Sequence, residues 1–134
     1  LLNFLKNLRS GSTVIQKGDA MLTIDVLNEF GADTKEGLAR CLDDEEFYLE
    51  LIPEALERER YEELQKLLDE KKLSEAFEAA HALKGVLGNL ALTPIYDPTS
   101  EMTELLRAGT DMDYTDLITK VIAQRDRLAQ LIES

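Results

Sequence analysis

The chain has one cysteine and one histidine among 134 residues. Cys41 has no partner for an internal disulfide, which fits a reducing compartment, so a cytoplasmic location is expected. A lone histidine and a lone cysteine cannot build the usual zinc sites. Prolines number three and glycines seven, and alternation of β-branched residues is nearly absent, so helices are expected rather than sheet. No stretch approaches ~20 uninterrupted apolar residues, which excludes a membrane-spanning helix. The opening Leu1-Leu2-Asn3-Phe4-Leu5 is interrupted too soon, by Lys6 and Arg9, to read as a signal peptide. Positive charge is scarce too: 15 Lys and Arg against 27 Asp and Glu leave a net charge of −12. Such a surface repels phosphate backbones and anionic lipid, so neither nucleic acid nor a membrane is an expected partner. What remains is 44% hydrophobic and 31% charged residues, enough for one soluble domain with a real core.

Helical segments follow one another with short breaks. Met21 to Phe30 is apolar-rich and stops at Gly31. Asp33-Thr34 can cap a piece over Lys35 to Leu42, and Asp43 or Asp44 can cap a run where Phe47, Leu51, Ala55 and Leu56 recur at helical spacing. Pro53 should kink that run or end it early. A further helix from Tyr61 carries Leu64, Leu67 and Leu68 and closes near Lys71-Lys72. Ser74 is placed to cap a long helix reaching Leu92, and Thr93-Pro94 to start another, irregular at Asp97-Pro98, that runs to Gly109. A last helix spans about Asp113 to Ile132. This pattern predicts an all-α fold, an up-and-down four-helix bundle with short accessory N-terminal helices.

Residues 1–20 differ from the rest. Lys6, Arg9 and Lys17 against Asp19 make them +2, leaving −14 for residues 21–134. The expected division is a 1–20 extension, a non-native leader or linker, followed by the bundle domain over 21–134. Lys17-Gly18-Asp19 before Met21 could arise from a translated ribosome-binding site. The competing reading is an accessory helix in which Phe4, Leu5 and Leu8 cover the bundle.

The long helix reads Ser74-Glu-Ala-Phe-Glu-Ala-Ala-His81-Ala-Leu-Lys84-Gly85-Val-Leu-Gly88. At about 100° per residue, Ala76, Ala80, Leu83, Leu87 and Leu90 fall within about 80° and form the buried stripe. His81, Lys84, Gly85 and Gly88 share a face away from it. Each interior glycine costs roughly 1 kcal/mol relative to alanine, a loss that makes sense where a partner must approach closely. An imidazole is largely uncharged at neutral pH and can act as a nucleophile. Lys84 lies one turn along, placed to screen the oxygens of a transferring phosphoryl group. Glu78-x-x-His81 is half of a di-iron motif, but a second histidine is lacking. Phe77 reads as core.

His81-Ala-Leu-Lys84-Gly85 with Gly88 following resembles the signature of histidine phosphotransfer (HPt) domains. The likeness extends over roughly residues 22–132, with the acidic entry Asp43-Asp44-Glu45-Glu46-Phe47-Tyr48 and the exit Thr93-Pro94. The resemblance implies His81 as phosphoacceptor and Lys84 as its electrostatic partner. Gly85 and Gly88 would match the small residues that admit a receiver domain, and the docking surface is expected to centre on the His81, Gly85 and Gly88 face with Leu92 as an apolar neighbour further along it. The family often carries a further glycine where this chain has Ala91. The implied function is a phosphorelay carrier in two-component signalling, loaded by a receiver aspartate or a histidine kinase and unloaded by a response-regulator receiver domain. It is not an enzyme, is expected to be a monomer, and needs no cofactor on this chain, the magnesium being expected in the partner receiver. The alternative is a bundle that binds receivers or kinases without phosphotransfer.

Overall fold

The computed structural model describes residues 22–133. The leader or linker expected over residues 1–20 lies outside them. Among the described residues there are seven helices and no strand: α1 (Ile24–Phe30), α2 (Thr34–Arg40), α3 (Glu45–Ala55), α4 (Arg58–Asp69), α5 (Leu73–Asn89), α6 (Thr93–Arg107) and α7 (Thr115–Glu133). The all-α expectation holds. Helices α4 to α7 each pack against the next in sequence, α1 packs on α7, and α3 lies against α5.

Local chemistry sets most boundaries. Thr23, Asp33 and Asp44 accept hydrogen bonds from Val26, Glu36 and Phe47 backbone N–H groups, capping the first three helices. Gly31 closes α1 at φ 106°, in the left-handed region where glycine carries no steric cost. Pro53 falls near the end of α3, which stops at Ala55. Pro98, by contrast, does not make α6 irregular at its start: α6 begins at Thr93 with Pro94 in its first turn and continues through Pro98. Helix α5 starts at Leu73 with Lys72 as its N-cap and no side-chain cap, so Ser74 does not serve there.

The core stripe of α5 is as the periodicity predicts, with Ala76, Ala80, Leu83, Leu87 and Leu90 all buried. At the end of α3, Ala55 and Leu56 are buried as expected, but the inward face differs at the start of the helix. Tyr48 and Ile52 face inward, whereas Phe47 is 39% exposed. Tyr48 wins because its hydroxyl donates to the Leu90 carbonyl at 2.9 Å inside the core. Gly37 of α2 makes room for that ring. Two arginines of α7 secure helix ends far away in sequence. Arg125 Nε donates to the Leu56 carbonyl at 2.8 Å. Arg127 Nη2 donates to the Phe30 carbonyl at 2.8 Å, with its guanidinium 4.4 Å from the Phe30 ring centre. Cation charge at a helix C-terminus also complements the helix dipole.

Candidate functional site

Helix α5 presents His81 to solvent on the side opposite its core stripe. His81, Lys84, Gly85 and Gly88 line one open groove of about 460 Å³, walled by Asp33, Glu36 and Arg40 from the α2 end and by Tyr96 and Asp97 from α6. Sequence reasoning brought the first four together. It did not anticipate the α2 wall, where Arg40 is tied to Glu36 by a 2.7 Å ion pair one helical turn away.

The two glycines have different surroundings. A Cβ on Gly85 would meet nothing within 4 Å, so this position is open to a partner. A Cβ on Gly88 would lie 3.1 Å from Tyr96 Cε1. Gly88 is therefore covered in part by α6, because α5 and α6 run antiparallel in close contact and bring Tyr96 over it.

Leu92 is a correction. The helical angle from His81 predicts it on the docking face, but it is fully buried. Helix α5 ends at Asn89, and Ala91 adopts φ 54°. This left-handed turn lets Leu92 N–H bond to the Leu87 carbonyl at 3.1 Å and swings Leu92 into the core, where it caps α6. The glycine that family members often carry at this position fits that backbone turn without strain. Ala91 is itself buried. Its bearing is on how the helix ends.

The imidazole of His81 does not stand alone. Its ring stacks on Phe77 with centroids 5.4 Å apart and planes 14° apart. Phe77 is half-buried and belongs to the site as well as to the packing. The signal was available, since residues four apart lie one above the other on a helix. Arg107 of α6 places its guanidinium 5.0 Å from the Phe77 ring centre. Lys84 reaches across to α6, where its Nζ donates to Glu104 Oε2 at 3.1 Å. Arg107 Nε donates to the other oxygen, Oε1, at 3.2 Å. These two cations hold the Glu104 carboxyl below the ordinary range for glutamate. Nothing in the local sequence around His81 announces Glu104 or Arg107, because their proximity is made by the antiparallel packing.

Chemically, the arrangement offers an exposed imidazole, a lysine within the same groove, and an uncovered backbone stretch at Gly85. Among the described residues no group of three or more His, Cys, Asp or Glu side chains is placed to hold a metal ion, and no helix is long and apolar enough to cross a membrane. The model of the Hpt domain family matches residues 48–134. No curated protein and no solved structure matches the chain.

Proposed function

The chain belongs to the Hpt domain family, and from that premise we propose that it carries phosphoryl groups on His81 between a donor and a response-regulator receiver domain. The family is one of phosphocarriers in two-component signalling rather than of classical enzymes. The observation that carries the assignment is the placement of His81, exposed on α5 in a groove shared with Lys84 and the bare backbone of Gly85.

One nitrogen of the neutral imidazole attacks the phosphorus of a receiver aspartyl phosphate in line with the leaving oxygen. The N–P bond forms as the P–O bond to aspartate breaks, and that electron pair returns to the carboxylate. The other ring nitrogen holds its proton through the transfer and sheds it to water afterwards. Delivery to a second receiver reverses these steps. The stack on Phe77 supports the imidazole in one orientation, and a set orientation favours in-line attack. Lys84 supplies positive charge for the phosphoryl oxygens. The receiver brings its own magnesium, and a histidine kinase is the other class of donor. Asp33, Glu36 and Asp97 around the groove make long-range attraction to an acidic receiver weak, so contact at Gly85 and shape complementarity dominate docking.

The test is incubation with a phosphorylated receiver, comparing wild type with His81→Gln. An acid-labile, base-stable label on wild type and none on His81→Gln is expected, with helix content and melting temperature nearly unchanged, because His81 is exposed and loses only its stack on Phe77. Label retained by His81→Gln refutes the assignment. Receiver binding without any label on wild type turns the protein into a pure interaction module.

A further inference from the structure

Lys84 is engaged before any phosphoryl group arrives. Its ammonium lies 3.1 Å from Glu104 Oε2, and its side chain is only 23% exposed while that of Glu104 is 54% exposed. The lysine is therefore laid against α6, with its charge already answered by a carboxylate. That carboxylate holds a second cation as well. Arg107 Nε lies 3.2 Å from Oε1, and Arg107 Nη2 reaches Oε2 at 3.5 Å.

From this geometry we propose that Glu104 is a positioning residue for phosphoryl transfer, keeping Lys84 docked on α6 between transfers and yielding it to the phosphoryl group on His81. The proposal rests on His81 as acceptor. A carboxylate and a phosphoryl group offer lysine the same kind of oxygen, but the phosphoryl group carries nearly two negative charges to the carboxylate's one. Exposed ion pairs are weak, so the stronger anion takes the lysine. The exchange needs no covalent change beyond the transfer itself. Arg107 explains why the exchange leaves no bare carboxylate facing the new phosphoryl group: it stays on Glu104 when Lys84 departs. Glu104 thus sets how much lysine charge is free at the moment of transfer and touches neither His81 nor the phosphorus.

The experiment labels the full chain with phosphoramidate, a donor whose P–N bond breaks with loss of ammonia as the His81 N–P bond forms. Initial rates are compared for wild type, Glu104→Gln, Lys84→Ala and the double variant. Glu104→Gln frees the lysine and should label about two to five times faster than wild type, the range set by an exposed ion pair. In the Lys84→Ala background the same substitution should leave the rate unchanged, since its effect runs through the lysine. Glu104→Asp keeps the carboxylate and should stay near the wild-type rate. Equal acceleration in both backgrounds means that Glu104 acts by direct repulsion, and overturns the proposal. An unchanged rate for Glu104→Gln in the wild-type background also overturns it. Wild type left without label on His81 instead removes the acceptor assignment, a result distinct from either. The ion pair is at the surface, so all five proteins should melt alike, and a melting shift confined to Glu104→Gln would assign the pair to stability alone.

Discussion

Gly37→Ala should be among the most damaging single-methyl additions in this protein. Gly37 is buried in α2, and a Cβ there would lie 2.6 Å from Cε1, Cζ and the hydroxyl oxygen of Tyr48. That ring cannot swing aside cheaply, being fully buried and bonded through its hydroxyl to the Leu90 carbonyl at 2.9 Å. Three effects compete. Alanine in a helix gains about 1 kcal/mol over glycine. Overpacking costs typically about 1–3 kcal/mol. Displacing the hydroxyl leaves a buried carbonyl unpaired, at about 1–3 kcal/mol more. The net is a destabilisation of roughly 3 kcal/mol, the sum of those ranges at their centres. At about 3–4 °C per kcal/mol for a chain of this size, the melting temperature should fall by ~10 °C. Thermal unfolding followed by helix ellipticity checks the shift, and urea unfolding should show a lower midpoint at the same slope. Tyr48→Phe should not rescue the variant, because ring carbons clash as well as the hydroxyl. Tyr48→Leu should recover part of the loss as a non-additive pair. A Gly37→Ala protein as stable as wild type, or more stable by the helix-propensity gain, would refute the packing argument.

Other outcomes follow from the same contacts. Lys84→Ala should slow transfer more than it weakens receiver binding, seen as a lower rate at saturating receiver with a similar dissociation constant. The same variant should let the Glu104 carboxyl titrate nearer its ordinary pH, since Lys84 is the first cause of its lowered pKa. The stability linked to that carboxyl is present above the unfolded glutamate pKa of about 4.3 and is lost as pH falls through the folded value. Ala91→Gly should stabilise by ~0.5–1 kcal/mol, the relief of a left-handed alanine at φ 54° less the added freedom of the unfolded chain, measured by urea midpoint. Burial pushes the Tyr48 phenol up to about 12, with Cys41 and Asp33 adding to the shift. The linked stability is complete below the unfolded phenol pKa of about 10 and declines as pH rises towards 12, so the melting temperature should start to fall as pH passes about 10.

The parts of the fold that repeat along one chain segment were legible. The α5 stripe follows from a period of 3.6 residues, and Asp33, Asp44 and Gly31 are cap residues whose chemistry is local. The face at the start of α3 was not legible, although Ala55 and Leu56 are buried as the spacing predicts. Phe47 and Tyr48 each begin an apolar ladder at helical spacing, and only the Leu90 carbonyl and the gap at Gly37, both distant in sequence, select Tyr48. The candidate site divides in the same way. His81, Lys84 and Gly85 are neighbours on one helix, so their spacing is enough to place them together. Leu92 leaves the His81 face because the helix ends at Asn89 and the left-handed Ala91 redirects the chain, which helical spacing alone does not register. Glu104 and Arg107 come from the facing helix, and their pairing with Lys84 and Phe77 is set by how α5 and α6 slide against each other.

The arginines of α7 bear on where this domain can be cut. The family match begins at Tyr48, which leaves α1 and α2 upstream of it, yet Arg127 grips the last residue of α1 through its carbonyl and its ring. Leu27 and Phe30 are buried in the same core as Val121 and Leu128. A fragment starting at Tyr48 would strip that cover from α7, remove the Gly37 seat of the Tyr48 ring and delete the α2 wall of the groove. Upstream helices and C-terminal helix should open together in native-state hydrogen exchange, as one cooperative unit closed by its two ends. The mechanical unit is thus longer than the segment by which the family is recognised.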